Sequence, residues 1–125
     1  MDWPVGNGAM ITPFRKEGSL PHDGIDIKAP IGTPVKVVED GVVLYSGNQI
    51  KGYGHLVIVR HDGGLITVYA HNRRNLVKEG APVIRGDAIA ELGDSGSVTV
   101  PHLHFEMRKG EQPVDPMPYL SPKKR

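Results

Sequence analysis

In the segment Pro101-His102-Leu103-His104-Phe105-Glu106, two imidazoles stand two positions apart. On a β-strand, residues two apart point to one face. His102 and His104 then share a side, while Leu103, Phe105 and Met107 turn the other way, into a core. Histidine is the commonest metal ligand among side chains. An earlier segment, His22-Asp23-Gly24-Ile25-Asp26, adds another imidazole and, four positions later, a carboxylate. A hydrolytic zinc centre takes three protein ligands and keeps a fourth position open. His22, Asp26 and His104 could supply those three, with Gly24 letting the loop fold closely around an ion. Taken alone, His22 and Asp26 read equally as a surface histidine beside a turn aspartate. The His102/His104 pair gives the metal reading its weight. The chain has no cysteine, so a metal must rest on imidazole and carboxylate.

No His-Glu-x-x-His occurs, which excludes the helical zinc-protease arrangement with its glutamate base. Glu106 is the only glutamate beside a proposed ligand on the metal-facing side. Proton transfer then falls to His71 and His102. A neutral imidazole can take a proton from water, and an imidazolium can hydrogen-bond a developing oxyanion. His71 ends a strand that begins at Leu65, on which it is expected to share a face with Thr67 and Tyr69. His55 and His61 read as strand-end residues near solvent, away from any metal. The small polar loop Ser95-Gly96-Ser97-Val98-Thr99 precedes the histidine pair and is expected to line a substrate groove. A lone loop serine is a weak nucleophile signal.

The elements that must hold these residues are short. Sixteen glycines and eleven prolines leave almost no window for a multi-turn helix. Val35 to Glu39 and Val42 to Tyr45 flank Asp40-Gly41, a two-residue hairpin signal. Further runs cover His55 to His61, Leu65 to His71, Ala88 to Leu92 and His102 to Arg108, with Asp62-Gly63-Gly64 as a turn. Asn72 to Val77 could form one helical turn. Trp3 is expected to plug one end of the structure. Short strands joined by turns predict an all-β antiparallel domain.

At 125 residues the chain reads as one domain, 1–125, ending in a basic tail at 121–125. A chain of this length can bury a real core without staples. Its net charge of +1 excludes a nucleic-acid binder that relies on phosphate neutralisation. No apolar run approaches the roughly 20 residues of a membrane span, and no signal peptide opens the sequence.

Four stretches together carry a specific likeness: His22 to Val35, Gly52-Tyr53-Gly54-His55, Tyr69-Ala70-His71-Asn72 and Pro101 to Glu106. With them the chain resembles the lysostaphin-like, LytM-type zinc metallopeptidases of bacterial cell walls, from Trp3 to Leu120. The resemblance implies antiparallel sheets in a sandwich- or barrel-like hybrid, with a groove over the metal. It implies one zinc ion held by His22, Asp26 and His104, with His71 and His102 as the other active-site histidines. It further implies a peptide bond of peptidoglycan as substrate, a periplasmic or extracellular location, and a segment excised from a longer exported protein. Two positions depart from the pattern: Arg15 stands where many relatives have Gly, and Asn72 where hydrolases often have Leu. Ser46 to Gly54 and Tyr69 to Asn72 look closest to the division-associated branch, in which several members have lost metal ligands and activate amidases. This chain keeps all five polar positions, which favours a working endopeptidase. The alternative is a regulator that binds a cell-wall amidase or division partner.

Overall fold

The computed structural model describes residues 1–6, 8–16, 22–96, 98 and 100–121. Residues 122–125 of the expected basic tail lie outside the described residues, as do Ser97 and Thr99 of the loop before the histidine pair.

The described residues form ten strands and one 3-10 turn, Asp62–Gly64, with no α-helix. The strands are β1 (Ala9–Thr12), β2 (Ile25–Lys28), β3 (Pro34–Lys36), β4 (Gly41–Gly47) and β5 (His55–Arg60). They continue with β6 (Leu65–Asn75), β7 (Pro82–Val83), β8 (Ala88–Leu92), β9 (His102–Lys109) and β10 (Gln112–Val114). All pairings are antiparallel. The main path runs β1-β2-β9-β6-β5-β4-β7 and does not close on itself. β10 adds to β9, and β8 joins β3 to the far end of β6. The all-β antiparallel expectation holds.

Directly opposed residues in antiparallel strands share a face. Asp26 lies opposite His104, which lies opposite Ala70; Val68 lies opposite Glu106. These residues occupy the face that carries the candidate site. The reverse face takes Ile25, Ile27, Tyr69, Leu103, Phe105 and Met107, all fully buried. Val35, Val37, Val38, Ile89 and Leu92 pack against them in the main core. A smaller apolar cluster of Leu56, Val68 and Ala70 sits on the site face, with Tyr45, Tyr53, Ile58 and Ile66 against it. Trp3 packs on the main core and its indole N–H donates to the Ser121 carbonyl, in keeping with a plug at that end.

Several local expectations fail. Val35 does not form a hairpin with the Val42 strand: β3 pairs with β8, placing Val35 opposite Ala90, while β4 pairs with β5 and β7. Burying Val35, Val37 and Val38 against Tyr69 and Ile89 outweighs the local Asp40-Gly41 turn preference. No helical turn forms at Asn72, because β6 continues to Asn75 and pairs with β8. His61 is not near solvent; it is buried. Its Nδ1 lies 2.7 Å from the Asp40 carbonyl and its Nε2 lies 2.7 Å from the Thr67 hydroxyl. Thr67 in turn meets the Tyr69 hydroxyl at 2.8 Å, and the Val38 N–H donates to that hydroxyl at 3.2 Å. This chain of bonds satisfies a polar line through the core.

Candidate metal and catalytic site

β2 and β9 set the centre of the site by register alone. Asp26 and His104 face one another across the ladder, and Asp26 Oδ1 lies 2.8 Å from His104 Nδ1. His22 enters from the loop ahead of β2. Its backbone pairs both ways with Arg15. Gly24 then passes tightly over β9, where a Cβ would collide with the Phe105 carbonyl. That close approach brings His22 Nε2 to 3.3 Å from Asp26 Oδ2. The three candidate ligand atoms of His22, Asp26 and His104 lie within 4.8 Å of one another.

His71 reaches the site by a backbone departure that alternation does not foresee. Strict two-residue periodicity would put it beside Thr67 and Tyr69, in the core. It instead has φ 66°, in the left-handed region that a non-glycine residue seldom enters. The ladder is also irregular there: His55 opposes Asn72, while Val57 opposes Tyr69. The extra residue turns the His71 ring onto the site face, in the manner of a bulge. Its ring centroid lies 5.2 Å from that of His102 and 6.0 Å from that of His104.

Each imidazole is held by a bond on its outer side. His22 Nδ1 meets the Pro13 carbonyl at 3.0 Å, His71 Nδ1 meets the Ser95 carbonyl at 2.8 Å, and His102 Nδ1 meets the Val100 carbonyl at 2.7 Å. A carbonyl only accepts, so the proton sits on Nδ1 in all three and Nε2 points inward. His104 is turned the other way. Its Nε2 faces Glu106 Oε2 at 2.8 Å, leaving Nδ1 toward Asp26. Glu106 is buried, accepts a bond from the Tyr53 hydroxyl at 3.1 Å, and is gripped by the Arg108 guanidinium at 2.8 and 2.7 Å.

These contacts set the charges. Burial alone would lower the His104 pKa, but the bonds to Asp26 and Glu106 outweigh it and lift the ring to about 9. Burial works against the Asp26 and Glu106 carboxylates, yet the bonds from His104, joined at Glu106 by Arg108, hold both below their usual range. Burial lowers the His71 pKa, opposed by its bond to Ser95, so this ring is neutral at neutral pH.

The donor set is two imidazole nitrogens and a carboxylate oxygen, converging on a point where a proton now bridges Nδ1 and Oδ1. That chemistry fits zinc. The five polar residues line a cleft of about 400 Å³, flanked by Ile11, Thr12, Val98 and Val100. His55 and His61 are not among the residues that line it. Ser95 does not line it: its hydroxyl accepts from the His55 N–H at 3.0 Å and donates to the Asn72 carbonyl at 2.6 Å. The anchoring part played by Glu106 went unread in the sequence, although its place two residues beyond His104 carries the signal.

Residues 20–116 match the profile of peptidase family M23. The chain belongs to that family. It is 46% identical over 118 residues to the lipoprotein NlpD/LppB homolog of Pseudomonas aeruginosa, covering 94% of this chain and 39% of that protein. It is 37% identical over 118 residues to the murein hydrolase activator NlpD of Escherichia coli, covering 94% and 30%. Among solved structures, the catalytic domain of the antimicrobial peptidase lysostaphin from Staphylococcus simulans superposes with a TM-score of 0.80. It is 30% identical, with 90% of this chain and 92% of that one covered. This M23 chain thus spans well under half the length of the two curated relatives, and nearly all of the lysostaphin catalytic domain.

Proposed function

We propose that this M23 domain is a zinc-dependent endopeptidase that hydrolyses a peptide bond in the stem or cross-bridge peptides of peptidoglycan. The observation that carries the proposal is the completeness of the site. His22, Asp26 and His104 converge as a ligand set, and His71 and His102 present Nε2 to the same cleft. When bound there, zinc would polarise a carbonyl oxygen and make a water acidic enough to ionise near neutral pH. The protein's own groups supply the rest. Neutral His71 can accept a proton at Nε2. His102 Nε2, 3.6 Å from Asp26 Oδ1, can carry a proton on the same side and hydrogen-bond the developing oxyanion. Ile11, Val98 and Val100 give the cleft apolar walls. The names of the relatives, lipoproteins among them, support a place in the cell envelope.

The names of the relatives favour a second function more strongly than the first: activation of a murein hydrolase, here taken as a cell-wall amidase, without turnover at the cleft. Relatives at 37–39% identity bear the name murein hydrolase activator. Two assays on labelled sacculi separate the functions. If the domain is an endopeptidase, it releases label by itself, and His71→Ala does not. If it is an activator, it releases nothing alone but speeds a purified amidase, and His71→Ala still does so.

A further inference from the structure

Ser95 bonds backbone on both strands, at the edge of the irregularity that turns His71 into the site. Its hydroxyl donates to the carbonyl of Asn72, the residue after His71, and accepts from the N–H of His55, which opposes Asn72 in the ladder. Its own carbonyl accepts the His71 Nδ1–H. The loops meet backbone to backbone. A Cβ at Gly54 would overlap Ser95, and one at Gly96 would lie 2.7 Å from the Gly54 nitrogen. Gly54 and Gly96 have φ of 64° and 83°, so glycine serves at both on two counts. The His71 N–H donates to the Tyr53 carbonyl at 2.9 Å. A residue in a sparsely populated backbone region persists only where its surroundings over-determine it. Here two segments, 52–55 and 95–96, do so around 71–72.

We propose, resting on the role given to His71 above, that Ser95 is a positioning residue whose hydroxyl ties its loop to the β6 bulge, so that its carbonyl holds His71 with Nε2 facing the substrate. Ser95 is not among the residues lining the cleft, and its bonds go to His55, His71 and Asn72 rather than to His22, Asp26 or His104. Losing the hydroxyl leaves His22, Asp26 and His104 in place but lets the His71 ring turn and exchange its proton between the two nitrogens.

Long-range proton–nitrogen NMR of the zinc-loaded protein reads which His71 nitrogen carries the proton. The unaltered protein is expected to show the Nδ1–H form alone. Ser95→Ala is expected to show both forms, with zinc content unchanged and kcat lowered roughly 10–100-fold, the scale for a misplaced catalytic group. Ser95→Thr, which keeps the hydroxyl, restores the single form. If Ser95→Ala does not fold, Ser95→Cys keeps the volume with a much weaker hydrogen-bonding group and is expected to show the same mixture. An Nε2–H form in the unaltered protein, or an undisturbed Nδ1–H form in the foldable variant, overturns the proposal. Full turnover in His71→Ala would defeat the catalytic role of His71 instead, and the tautomer result would still decide what Ser95 does.

Discussion

His104 Nε2 donates to Glu106 Oε2 across 2.8 Å, and this bond fixes which nitrogen of His104 faces the site. The two residues lie on one strand, two positions apart, on the same face. Glu106 is held in turn by Arg108 and Tyr53. A carboxylate behind a ligating imidazole orients the ring and raises its basicity, and its loss typically weakens metal binding 10–100-fold. Glu106→Gln is therefore expected to lower zinc affinity by about that factor, measured by competition with a chromogenic chelator. Unchanged affinity would mean that Glu106 does not orient His104.

The pH dependence of the metal-free protein follows from the same ring. His104 has a folded pKa of about 9, above the ~6.5 of an unfolded histidine. Its contribution to stability is thus fully present below pH ~6.5 and is lost as pH rises through about 9. The lowered Asp26 and Glu106 act in the opposite sense, contributing above their unfolded values and losing that contribution on acidification. Melting curves of the metal-free protein and His104→Gln, recorded from neutral pH upward, should converge as His104 loses its proton. Zinc bound as proposed at His104 would have to displace that same proton, so zinc affinity is expected to climb over the same range. A melting difference that stays constant up to strongly basic pH would contradict the His104 assignment.

His71→Ala and His102→Ala are each expected to keep zinc and to lose roughly 10²–10⁴-fold in turnover, the usual scale for a positioned acid or base. The double variant should lose less than the product of the two if they serve one proton-transfer step. Zinc content by elemental analysis and single-turnover rates check both points together.

The line of bonds through the core gives a stability prediction. Tyr69→Phe removes the hydroxyl that accepts from the Val38 N–H and bonds Thr67. It leaves the buried Val38 N–H without that acceptor and should cost about 1–3 kcal/mol in urea unfolding. His61 and its bond to Thr67 stay in place. A loss near zero would show that the cavity takes up water in place of the hydroxyl.

The residues differ in how far the sequence alone reveals them. His102, His104 and their buried neighbours Leu103 and Phe105 were legible because a regular strand obeys a two-residue period. The His22–Asp26 spacing was legible for a related reason: Asp26 is the second residue of β2, which pairs with β9. The facing of His71 was not, because its left-handed backbone has no glycine to mark it and is imposed by loops around Tyr53 and Ser95. The partner of Val35 was not, because the Asp40-Gly41 signal is local while β3 pairs with a strand more than fifty residues away. Burial of His61 depended on Thr67 and Asp40 as tertiary partners. Ser95 looked like a groove residue because a small polar side chain in a loop gives no sign of which way its hydroxyl turns.

Mass spectrometry of cross-linked dimeric muropeptides after incubation with the zinc-loaded domain tests the endopeptidase proposal most directly. Cleavage between amino acids is expected, yielding monomers whose stems remain attached to sugar, and no such product from His104→Ala. Free stem peptides with bare glycan would contradict it and make the domain an amidase. Intact dimers, with zinc bound and an added amidase stimulated, would contradict it in favour of the activator.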